Sequence, residues 1–83
     1  MQRNEFETMV KELLPNITEQ AMEKWTQYAH ELEQDGTEKE SDLYDAAYVE
    51  LRLITEHQGE PTATRLFNYG EQFVFNYFEL RGA

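Results

Sequence analysis

An all-α fold is what this sequence predicts: a compact antiparallel bundle of three longer helices and one short N-terminal helix, forming one domain over residues 1–83. Three observations predict it. Apolar residues recur at three- and four-residue steps through four separate segments, the period of a helix with one buried face. Helix-interrupting residues divide those segments: Pro15-Asn16, Asp35-Gly36 and Gly59-Glu60-Pro61. The connections are short, which favours antiparallel neighbours.

The first segment opens at Asn4-Glu5-Phe6-Glu7, where Asn4 can cap and Glu7 stands at the acid position of a capping box. Phe6, Met9, Val10 and Leu13 share one face, and Glu7 and Lys11 are spaced to pair on the other. Thr18 caps the second helix, with Ile17 and Met22 placed as a hydrophobic staple. Ala21, Met22, Trp25, Tyr28, Ala29 and Leu32 form its buried face. Glu19, Glu23, Gln27, His30 and Glu31 form its wet one. Thr37 and Glu40 have capping-box spacing and are expected to start the third helix. Its apolar arc is wide, taking in Leu43, Tyr44, Ala46, Ala47, Tyr48, Leu51, Leu53 and Ile54, so neighbours are expected on more than one side. Pro61 or Thr62 begins the last helix. Ala63, Leu66, Phe67, Gly70, Phe73, Val74 and Tyr77 make a stripe there that the other segments are expected to cover. That stretch holds six of the eleven aromatic residues and reads as the centre of the fold. Its run Phe73–Phe78 also has strand propensity, but no second segment offers a strand to pair with it.

Composition narrows the function classes. A net charge of −10 opposes direct binding to nucleic acid or an anionic membrane, because phosphate contacts need Lys and Arg. The aromatic and aliphatic content is too high for a disordered acidic tail. Without cysteine there is no disulfide, thiolate metal site or thiol nucleophile. No run of about 18 apolar residues and no leader-like start is present, so a cytoplasmic location is expected.

The acids cluster around the middle turn. Glu31, Glu33, Asp35, Glu38, Glu40, Asp42 and Asp45 stand against Lys39 alone. The plain account is a solvated loop with acids at a helix N-terminus. The sharper account is a negative surface that fills a basic groove on a partner protein. Tyr44 or Tyr48 would serve as an aromatic anchor beside it, with Glu19 and Glu23 as outliers. Glu31–Asp42 also loosely resembles an EF-hand calcium loop, with acids at its first, third and fifth positions and Gly36 at its sixth. It departs from that pattern at Glu31 in first place, Glu38 in eighth and Asp42 in twelfth, and no calcium, other metal or cofactor is expected. His30 and His57 form no His-x-x-x-His or Glu-x-x-His pair and read as solvated histidines. Ser41, the only serine, lies at a helix start, where capping accounts for it. No catalytic residues are expected.

The function these residues imply is a non-catalytic, acidic protein-binding module. It would occlude a basic, nucleic-acid-handling surface, as small phage and mobile-element inhibitors such as anti-CRISPR and anti-restriction proteins do. That comparison rests on size, charge and helix content, and no motif identifies a family. The alternative is a homodimer joined through Phe75 and Phe78 of the last helix, its acidity serving solubility only.

Overall fold

The computed structural model describes residues 1–34 and 39–82, with the side chains at 77, 78 and 80–82 outside the description. Four helices make up the described chain: α1 (Arg3–Leu13), α2 (Glu19–Gln34), α3 (Glu40–Gln58) and α4 (Ala63–Gly82). None is long and apolar enough to cross a membrane. The fold is the expected all-α bundle with a short first helix.

Local chemistry sets most boundaries. The backbone leaves α1 before Pro15, with the Leu14 N–H bonded to the Val10 carbonyl. Thr18 Oγ1 accepts from the Ala21 N–H at 3.1 Å and caps α2. Gly59 ends α3 at φ 78°, a left-handed value that a side chain would oppose. Thr62 caps α4 by accepting from the Arg65 N–H at 3.3 Å. The strand propensity of Phe73–Phe78 yields to helix, because the ladder a strand needs has no partner here.

Two starts differ from expectation. α1 begins at Arg3 with Gln2 as its uncapped entry, so Asn4 lies inside the helix and its carbonyl accepts from Thr8 Oγ1. The earlier start sets Arg3 one turn before Glu7, and Glu7 pairs with Arg3 at 3.1 Å rather than with Lys11. α3 begins at Glu40 after Lys39, which makes no side-chain cap bond. Thr37, with Asp35, Gly36 and Glu38, lies outside the described residues.

The packing centre is the α2–α3 pair, not α4. α2 lies against both α3 and α4, while α1 packs on α3. Ala21 and Ala29 let the neighbours of α2 come close, and Trp25 fills the space between α2 and α4. The Trp25 ring is fully buried, stacks on Phe73 at 6.0 Å and donates from Nε1 to the Leu66 carbonyl at 3.2 Å. On the α1 side, Phe6 stacks on Tyr44 at 5.0 Å. α4 contributes the buried Leu66 and Gly70, but Phe67, Phe73 and Val74 stay half-buried and Ala63 is exposed. Its described rings lie at an edge: Phe67, Tyr69 and Phe73 are half-buried and Phe75 is exposed, with α2 as the one principal neighbour. α3 meets α1 and α2 as its wide arc predicts. Val49 and Leu53 nevertheless remain exposed, on the flank that neither reaches. Every buried side-chain polar atom among the described residues has a hydrogen-bond partner.

Candidate functional site

The acidic positions gather where α2 ends and α3 begins. α2 carries Glu31 and Glu33 in its closing turns, with no basic residue in the last one. Helix carbonyls there present partial negative charge, so carboxylates in that position lower the stability of the helix. α3 starts with Glu40 and Asp42 in its first turn, where the same dipole favours them. The second placement has a local explanation; the first does not.

Each acid has its own surroundings. Glu31 is exposed and accepts from Gln27 Nε2 at 3.4 Å. Asp42 is exposed and joins no ion pair among the described residues. Asp45 is exposed and lies 2.9 Å from the α-amino group of Met1, which also donates to the Ser41 carbonyl. Glu33 and Glu40 are half-buried. Glu33 Oε2 lies 3.8 Å from His30 Nδ1, and Glu40 accepts from the Tyr44 hydroxyl. The outliers Glu19 and Glu23 are both exposed. Asp35 and Glu38 belong to the residues outside the description.

The expected aromatic anchors need correction. Tyr44 is 2% exposed, locked between Phe6 and Glu40, and cannot reach a partner. Burial, helped by the bond to Glu40, raises its phenol well above the usual range. Tyr48 is half-buried, with the Arg52 guanidinium 6.0 Å over its ring, and keeps a free edge. On α4, Phe75 is 60% exposed. α1 packs on α3 and leaves it uncovered. The Phe78 side chain lies outside the description.

A second grouping escapes the sequence reading. One ligand atom each from His30, Glu33 and Glu40 falls within 4.8 Å of the others. The local signal is the i, i+3 spacing of His30 and Glu33, which sets them on one helix face. It differs from the His-x-x-x-His and Glu-x-x-His patterns, and Glu40 joins only because α3 folds back beside α2. Arg3, Glu23, Thr26 and Gln27 border the same open groove. Arg3 is already bonded to Glu7, a contact that holds its guanidinium in the charged form. A separate hollow of about 40 Å³ between Leu14, Ile17, Ala21 and Leu66 is too small for an organic substrate. No protein-family model, curated protein or solved structure matches this chain.

Proposed function

We propose that this chain is a non-catalytic protein-binding module whose α2–α3 end occludes a basic, nucleic-acid-handling surface of a partner protein. The observation that carries the reading is the pair Glu31 and Glu33 at the C-terminal end of α2. They sit where the helix dipole disfavours them, with no basic residue in the last turn to offset the cost. Local stability does not explain that placement, and recognition of positive charge does. Asp42 and Asp45 extend the negative surface onto α3, with Tyr48 at its margin. A net charge of −10 steers the molecule toward cationic surfaces and sets the same sign as a phosphate backbone. Phage and mobile-element inhibitors, anti-CRISPR and anti-restriction proteins among them, share this logic, and the cytoplasm is where such targets work.

The test is capture with the immobilised chain, followed by identification of the bound protein and competition with that protein's own nucleic acid. Glu31→Lys combined with Asp42→Lys should weaken capture about tenfold or more while leaving far-UV circular dichroism unchanged. Binding should also fall steeply between about 0.05 and 0.5 M salt, as screening shortens the reach of surface charge. Equal affinity of the double variant, or binding indifferent to salt and nucleic acid, would remove this face from consideration.

The exposure of Phe75 favours a second reading, a symmetric homodimer through α4. Sedimentation separates the two. A dimer held by α4 persists in high salt and dissociates on Phe75→Lys, which leaves the acidic face unaltered.

A further inference from the structure

The geometry points to a divalent-cation site of the zinc class at His30, Glu33 and Glu40. This inference shares Glu33 with the partner-binding reading and otherwise uses His30 and the half-buried Glu40, not the outward Glu31 and Asp42.

The donor set comes first. One imidazole nitrogen and two carboxylate oxygens are the borderline and hard donors that zinc accepts, and three protein ligands leave a fourth position for water. Bonds of about 2.0–2.2 Å place tetrahedral ligand atoms roughly 3.4 Å apart. His30 Nδ1 and Glu33 Oε2 are already 3.8 Å apart, and the whole set lies within 4.8 Å. The remaining distance is for the two glutamate side chains to close by rotation about their own bonds. Calcium and magnesium fit poorly, since they take six or more oxygen ligands and this cluster supplies one nitrogen and two carboxylates.

The surroundings of the ligands are the second, independent observation. Outer partners of metal ligands fix ring orientation and carboxylate rotamer. Here the Gln34 amide lies 3.2 Å from His30 Nε2. The amide nitrogen faces that ring atom and donates to it, which leaves the ring proton on Nδ1 toward Glu33; metal binding at Nδ1 requires the proton on Nε2 and the amide turned over so that its oxygen accepts it. The Tyr44 hydroxyl donates to Glu40, and Tyr44 is itself immobilised against Phe6. Glu40 is therefore held from behind.

Charge points the same way. Neither Glu33 nor Glu40 pairs with Lys or Arg among the described residues, and the nearby Arg3 is committed to Glu7. A cation here would sit at the C-terminal end of α2, where the helix dipole welcomes positive charge, and would offset the unfavourable acids of that turn. It would also tie α2 to the first residue of α3.

The full chain, freed of metal by chelator and dialysis, is titrated with Zn²⁺ by calorimetry and followed by thermal unfolding. We expect one equivalent to bind and the midpoint to rise by several degrees at saturation. Ca²⁺ and Mg²⁺ at the same concentration should leave the midpoint unmoved. His30→Ala, Glu33→Gln and Glu40→Gln should each weaken binding at least about tenfold, and His57→Ala should not. Co²⁺ gives a readout independent of stability: visible d–d bands in the parent and in His57→Ala, absent in His30→Ala. Absence of one-equivalent binding would overturn the site. So would a Zn²⁺ response that survives His30→Ala, or one that His57→Ala reduces equally, since either would make the metal a counterion of the acidic surface.

Discussion

Gly70 and Tyr28 show how much one hydrogen in place of a methyl can decide. A Cβ built on Gly70 falls 2.6 Å from Tyr28 Cδ2 and closer still to Cε2. The ring cannot simply swing away, since it is buried and packs edge-to-face with Trp25 at 6.2 Å. Overpacking of this kind costs about 1–3 kcal/mol, against about 1 kcal/mol gained from the better helix propensity of alanine. Gly70→Ala should therefore lose up to about 2 kcal/mol in urea unfolding, and adding Tyr28→Leu should recover part of the loss. Gly70 was readable in sequence as part of the stripe that other segments cover; Tyr44 was not readable as buried. Spacing places Tyr44 on an apolar arc, but only the arrival of α1 across that arc decides which part of it is covered. Burial then raises the phenol pKa of Tyr44, and to a lesser degree that of Tyr28. Above the ordinary tyrosine value of about 10 the unfolded chain releases protons that the folded chain keeps. Stability present below that pH is lost as pH rises further. Urea midpoints should fall between about pH 9 and pH 11, and fall less in Tyr44→Phe.

Elements were legible where a boundary is made by a residue's own chemistry. Pro15 and Gly59 stop helices because one disfavours helix before it and the other takes a left-handed conformation. Thr18 and Thr62 start helices because their hydroxyls satisfy free N–H groups. Thr18→Ala should accordingly cost about 1 kcal/mol, measured by chemical denaturation, with no change in helix content at low temperature. Legibility failed where a boundary or a role depends on other elements. Asn4 is a good cap, yet the chain is helical one residue earlier, where Met1 docks beside α3. α4 has the most rings and looks like an organiser. Ring count measures how much surface wants cover, not how many neighbours arrive. α2, with alanines on its buried face, admits a helix on each flank and shares the centre with α3, which packs on α1 and α2. The His30 cluster failed for the same reason: two of its members are local and the third comes from α3.

At the scale of the whole molecule, charge and helix order matter more than any single side chain. The acidity was plain in the sequence. Its unfavourable seat at the end of α2 was not, because that needed the observed helix end. The principal contacts run α1 to α3, α3 to α2 and α2 to α4, so two of the three join helices that are not consecutive in the chain. Of these three contacts, only α2 to α3 joins consecutive helices. That order has a kinetic consequence. The α2–α3 hairpin closes over a short connection, whereas α1 and α4 must each bridge an intervening helix, at higher loop entropy. We expect the folding nucleus to lie in the hairpin. Leu32→Ala and Leu43→Ala should slow refolding, while Met9→Ala and Phe67→Ala at the margins should chiefly speed unfolding. Trp25, the only tryptophan, reports both rates by its emission.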